Sequence, residues 1–190
     1  MNTAFAIALG ALALMYVALT ATVSRRFPLV NTDEVAVTVH GHNLVTGAGQ
    51  RYSLYDDEFA PSVYALRDIL PDLTRTFFNA WVGVTSVVTG GSYQSVRLST
   101  VIAGLFGVLF MGGIGRRLGG PALGVWSAAL FAFNPFVLTA SSFIRPEMFL
   151  AAAVAGLLWW SRGHASSLRN DLLTGVGGGL LIAVHPNAAV

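Results

Sequence analysis

The chain has 190 residues, 54% of them hydrophobic and 11% charged, with a mean hydropathy of +0.65. A soluble domain carries about 25% charged residues, so these few charges cannot cover a water-facing surface, and a soluble globular protein is excluded. The eleven basic residues are all Arg and stand against nine carboxylates; a net charge of +2 is not a basic patch and gives no footing for nucleic acid. With no Cys, disulfides, thiolate metal sites and cysteine nucleophiles are excluded as well.

In chain order, no charge occurs from Met1 to Ser24, from Leu98 to Gly115, or from Leu118 to Ile144. Arg162 is the next charge after Glu147, and none follows Asp171. A membrane helix needs about 20 mainly apolar residues, so each gap accommodates one. Spans are predicted at about 4–23, 98–115, 121–140, 144–160 and 172–190. The predicted fold is an all-α, polytopic transmembrane helical protein of about five spans, with a large external loop carrying interfacial helices after the first. The first stretch lacks a positive n-region, and its apolar run of about 20 residues exceeds the 7–15 of a signal peptide. It reads as an uncleaved span. The last predicted span reaches Val190 with no polar tail, so residues 1–190 read as the N-terminal part of one longer membrane-embedded domain.

The loop, 24–97, holds seven of the nine carboxylates. Inside it, Pro61 to Leu70 reads as one short helix and Thr76 to Val88 as another, with Phe77, Trp81, Val84 and Val88 at helical spacing. Gly90-Gly91 ends the second. Thr, Asn and Ser interrupt that segment, and its aromatics suit the headgroup boundary, so it reads as interfacial rather than spanning. Arg116-Arg117 in one turn and Arg162 with Arg169 in another fall on the same side, which the positive-inside rule makes cytoplasmic. The 24–97 loop and the Arg145-Pro146-Glu147 turn then face outward. Arg25-Arg26 runs against this orientation, but long loops weigh little in the rule.

Several groups could carry chemistry. Asp33-Glu34, about ten residues beyond the end of the first span, offers a carboxylate placed to act as a base at the membrane surface, or two solvated acids. Arg145-Pro146-Glu147 sits at a span boundary, where ionisable groups are functional, internally paired or snorkelling; Pro146 suits the first turn of a helix. Asp56-Asp57-Glu58 reads as a solvated acidic turn, because consecutive side chains diverge and no ligand loop surrounds them. His40-Gly41-His42 lacks a third ligand at a suitable spacing, so no metal site is expected. His185-Pro186-Asn187 lies deep in the last predicted span, a costly placement unless it faces a cavity or partner. The glycines at 175, 177, 178 and 179 suit close helix packing rather than phosphate binding.

The succession is one span, then Asp33-Glu34 followed by Leu44 and Gly47, then Pro71-Asp72-Leu73 opening a segment with Trp81. Ser95-Val96-Arg97-Leu98 enters the second span, Gly115 to Gly120 makes a basic turn, and Ala129 to Ala140 contains Asn134-Pro135. Arg145-Pro146-Glu147 then opens the fourth span. In this order and spacing the elements resemble the polytopic GT-C glycosyltransferases, in particular protein O-mannosyltransferases and the bacterial lipid A aminoarabinose transferase type. The likeness covers most of the chain. It departs where the family often has two prolines (here Pro71-Asp72) and often Lys (here His185), and family members are longer.

The resemblance implies transfer of a sugar, by inverting displacement, from a polyprenyl-phosphate donor in the bilayer to an acceptor at the outer face of the plasma membrane. The acceptor would be a protein, a lipid or a polysaccharide. Asp33 would be the general base, and Glu34 would orient the acceptor or support Asp33. Arg145 would meet the leaving phosphate with Glu147 beside it, and His185 is a second candidate for that role. Trp81 would shape the lipid entrance. Relatives of this type work without a metal, so no cofactor is expected. Two rival readings also fit several helices: a fragment of a transporter or permease, and a non-catalytic membrane assembly subunit. The acidic loop suits the transporter less well, since transporter sites lie near the bilayer midplane.

Overall fold

The computed structural model describes residues 2–26, 32–47, 76–164 and 166–181, and every regular element among them is helical. Helix α1, Thr3–Arg26, has 24 residues; at 1.5 Å per residue it is about 36 Å long, enough for the roughly 30 Å of hydrocarbon. Its protein-facing side carries Phe5, Tyr16, Thr20 and Ser24, while Ile7, Leu14, Met15 and Leu19 stand outside. Lipid gives no hydrophobic drive for helices to associate, so the inner face is selected for packing and hydrogen bonding, here by two aromatics and two hydroxyl side chains, while Ile, Leu and Met are left to the lipid.

Helix α2, Thr32–Thr46, follows, and helix α3, Thr76–Thr89, packs against it. The two cross at Gly41 and Gly83, where a Cβ on either residue would strike the other's backbone. The periodicity of Thr76 to Val88 thus marks a true helix, which ends at Gly90 (φ 78°) and Gly91 (φ 77°). Both glycines adopt the left-handed conformation that closes a helix at little steric cost. The stripe of Phe77, Val84 and Val88 points outward, and the buried side is Phe78, Asn79, Val82, Gly83, Thr85 and Ser86. The expected 24–97 loop therefore contains an additional ordered helix, α2, beginning at the residue before Asp33. The expected helix from Pro61 to Leu70 and the Asp56-Asp57-Glu58 triplet lie outside the described residues.

A four-residue helix α4, Tyr93–Val96, is capped by Ser92, whose Oγ accepts the Ser95 N–H. It delivers Arg97 to the start of helix α5, Leu98–Ala132. This 35-residue element is broken at Gly119 and Gly120 (φ 84°), and Pro121 opens its second arm. Gly107 lies against Phe131, Gly112 against Ala128, and Gly115 against Ser127. One index rises as the other falls, so α5 is an antiparallel hairpin with arms 98–118 and 121–132, held close by its glycines. The second arm stops before the expected 140: Asn134 Oδ1 accepts the Phe136 and Val137 N–H groups and caps a new helix α6, Pro135–Ser141. Helix α7, Pro146–Gly163, has Pro at its start and Glu147 in its first turn, and Ser167 caps helix α8, Leu168–Leu180.

Thr3–Arg25 and Tyr93–Ala132 are long and apolar enough to cross a membrane, and α6 with α7, bent by 119° at their break, makes a third candidate if counted as one. Of the expected final span, the described residues reach Leu181.

One cluster of buried side chains joins α1, α5, α6 and α7 through Tyr16, Val108, Ala128, Ala132, Val137 and Met148. There the Tyr16 hydroxyl donates to Ser141 Oγ at 2.5 Å. A second cluster, Val37, Phe78, Val82, Val96 and Ile144, ties α2, α3 and α4 to the segment before α7. The bundle has two distinct ends. At one, Arg116 lies over the Phe5 ring (5.0 Å) and Arg117 over the Trp159 ring (4.5 Å), with Arg117 Nη1 donating to the Trp159 carbonyl. At the other, Ser24, Glu34, Arg97 and Ile144 meet.

Candidate functional site

At this second end lies a fully buried ion pair. The Glu34 carboxylate, in the first turn of α2, accepts from Arg97 Nε at 3.1 Å and Nη2 at 2.9 Å. Its Oε1 also accepts the Ile144 backbone N–H at 2.8 Å. Arg97 Nη1 donates to the Ser24 carbonyl at 3.2 Å, and its guanidinium lies 5.6 Å from the Phe143 ring centroid. The two side chains are 3% and 1% exposed. Burying two charges is costly unless both are paired and their remaining hydrogen-bonding capacity is used, and the two-pronged guanidinium–carboxylate geometry is the strong form of that pairing. The pair draws together the end of α1, the start of α2, the start of α5 and the residues leading into α7.

Asp33 belongs to the same first turn of α2, one residue before Glu34; its side chain lies outside the described residues. Glu34 is turned into the protein, with each carboxylate oxygen receiving an Arg97 N–H. Arg145 immediately follows Ile144, so the backbone bond from Ile144 to Glu34 brings its segment to the turn that carries Asp33.

Arg145 and Glu147 are 43% and 39% exposed, and Arg145 Nη1 stands 4.0 Å from Glu147 Oε1, a loose pair. With Phe136, Thr139, Ala140 and Phe143 they line a cavity of about 330 Å³. Glu147 Oε2 is buried and accepts no hydrogen bond among the described residues. The cavity is thus apolar on one side, with a cation and a carboxylate at its rim.

Trp81 donates its Nε1–H to the Ser99 carbonyl at 2.9 Å, and its ring lies 5.9 Å from that of Phe149. Together with Phe77, Ala80, Val84, Phe149 and Ala153 it lines an apolar groove of about 560 Å³ between α3 and α7, to which Leu180 and Leu181 also contribute. His185 lies outside the described residues. His40 is buried whereas His42 is exposed and meets Ser86 Oγ at 3.3 Å; two positions apart on a helix, they project about 200° apart. Among the described residues no three His, Asp or Glu side chains are grouped to hold an ion.

Of the expected site residues, the structure brings Glu34 and the Arg145 segment together and places Trp81 in a separate apolar groove. Arg97, the partner of Glu34, is the group that the sequence reading left without a role. The sequence carries part of the signal: a single arginine opening an apolar helix needs a counter-charge, but which acid supplies it is set only by the fold.

A comparison with curated proteins and one with solved structures return no match. The family model for dolichyl-phosphate-mannose-protein mannosyltransferase matches residues 48–184; Asp33 and Glu34 precede the matched segment. The matched segment is well over half of the chain, and the chain belongs to this family of membrane glycosyltransferases, which draw their sugar from a polyprenyl-phosphate carrier.

Proposed function

We propose that the chain carries the catalytic end of a transferase that moves a mannosyl group from its polyprenyl phosphate to an acceptor hydroxyl at the outer face of the plasma membrane. The observation that carries this reading is the hydrogen bond from Ile144 N–H to Glu34, which links the Asp33 turn to the Arg145 turn. Asp33 takes the proton of the acceptor hydroxyl. The acceptor oxygen attacks the anomeric carbon from the side opposite the phosphate, and the bond from that carbon to the phosphate oxygen breaks. One in-line displacement inverts the configuration and leaves the polyprenyl phosphate with an additional negative charge. Arg145, half-exposed at the rim of its cavity, stabilises that charge where it develops, with Glu147 holding the guanidinium until donor arrives. His185 is a second donor to the phosphate. The isoprenoid chain enters along the apolar groove at Trp81. The reaction uses no metal or other cofactor, since a carboxylate base and a cationic clamp supply the acid–base and electrostatic parts of the barrier.

The test is Asp33→Asn in the full chain, assayed for release of polyprenyl phosphate from a radiolabelled mannosyl donor in native membranes. Loss of transfer with unchanged expression is the expected result. Near-normal turnover would overturn the assignment of the base.

A further inference from the structure

The Glu34–Arg97 pair does more than satisfy two buried charges. Glu34 is covalently next to the proposed base, and Ile144 is covalently next to the proposed phosphate clamp. A single carboxylate therefore links the two backbone segments, bonded through Oε1 to Ile144 N–H at 2.8 Å. Arg97 holds that carboxylate from the other side by two N–H groups, and is itself tied to the Ser24 carbonyl at the end of α1. We propose that Arg97 and Glu34 act together as a strut that fixes the spacing between Asp33 and Arg145. Both are positioning residues; neither touches the donor. The inference rests on the transferase reading for its catalytic consequence and on the hydrogen bonds alone for its mechanical one.

Glu34→Gln keeps an amide oxygen able to accept the Ile144 N–H but turns an N–H₂ group towards Arg97, placing donor against donor. Arg97→Lys keeps the charge and loses the two-pronged grip. In either variant Arg145 still opens α7 and still meets the phosphate, so donor binding persists. What is lost is the register of Asp33 against the anomeric carbon, and misplacement of about 1 Å costs on the order of a hundredfold in rate. The effect falls on kcat rather than on KM.

The chain has no cysteine of its own, so two can be introduced without background. Val45 on α2 and Leu158 on α7 are 40% and 49% exposed; each is changed to Cys and spin-labelled in the full chain reconstituted in lipid nanodiscs. The label-to-label distance is measured with and without Glu34→Gln or Arg97→Lys, and donor kinetics with a mannosyl-phosphoryl polyprenol are measured in native membranes, where endogenous acceptors take the sugar. The expected result is a broadened or shifted distance with kcat lower by at least about tenfold and donor KM within about threefold. Arg97→Lys serves as the second variant should Glu34→Gln fail to fold. An unchanged distance in both variants would overturn the strut whatever the activity, and so would a KM that rises in step with a constant kcat. A broadened distance in a protein whose unmodified form transfers no mannose would sustain the strut and refute the transferase reading.

Discussion

Gly41 of α2 and Gly83 of α3 meet backbone to backbone: a Cβ on Gly41 would stand 2.8 Å from the Gly83 nitrogen, and one on Gly83 would strike the Gly41 carbonyl. The contact lets the two helices approach closely enough for dispersion and side-chain hydrogen bonds to hold them. It also sets the height at which Glu34 enters the site, since Glu34 lies on α2 some two turns before the crossing. Gly83→Val is expected to force the pair apart at a cost of about 1–3 kcal/mol or more, read as a lower thermal midpoint in detergent. Gly10→Ala in α1, where a Cβ meets nothing within 4 Å, is expected to stabilise by about 0.5–1 kcal/mol. Equal effects of the two changes would mean that the glycine crossing has no special role.

The sequence makes the long helices legible and leaves the site only partly so, for a physical reason that α2 and α3 display. Charge-free runs report the bilayer directly: α1, the first arm of α5 and α7 each cover one, with Arg25-Arg26, Arg116-Arg117, and Glu147 and Arg162 at their ends. The stripe of Phe77, Trp81, Val84 and Val88 announces α3 by its period, but not which side packs: Phe77, Val84 and Val88 face out, Trp81 is half-buried, and Phe78, Asn79, Val82, Gly83 and Ser86 face in. Thr32–Thr46 offers no comparable stripe. Its Val, Thr and Gly are indifferent helix formers, and the helix is held by tertiary contacts at Gly41 and Glu34. The partner that fixes Glu34 lies 63 residues on in the chain, beyond the reach of any local pattern. Asp33 and Arg145 are each visible as candidate groups; the carboxylate that links their segments is visible only in three dimensions.

The placement of the basic turns leads to a topology experiment. Arg117 over Trp159 and the approach of its guanidinium to Gly163 put the turn at 116–120 and the start of the turn after α7 at one end of the bundle, with Ser24, Glu34 and Arg97 at the other. Single cysteines at Leu118, Ser166 and Ser92 in this cysteine-free chain can be labelled with a membrane-impermeant maleimide in intact cells. Ser92→Cys is expected to react from outside, and Leu118→Cys and Ser166→Cys only after the membrane is opened, as the positive-inside rule requires. The reverse pattern would place the Glu34 end on the cytoplasmic side and remove the outer-face reaction.

The groove at Trp81 separates recognition of the lipid chain from recognition of the phosphate. Its walls are Phe77, Val84, Phe149 and Ala153 with the Trp81 ring across them, and none carries a charge that could bind a headgroup. An isoprenoid chain gains there only through surface taken from competing lipid tails, so the gain grows with the length of chain lying against the ring. Trp81→Ala removes an aromatic wall and opens the groove; a loss of about 1.4 kcal/mol would raise KM tenfold. That rise is expected for a long-chain mannosyl-phosphoryl polyprenol, while a short-chain donor that ends before the groove should change by less than about twofold. Arg145→Ala is the opposite case, since both donors present the same phosphate and should weaken alike. If Trp81→Ala impairs the two donors equally, the ring acts through the fold, by its bond to the Ser99 carbonyl, and the lipid enters elsewhere.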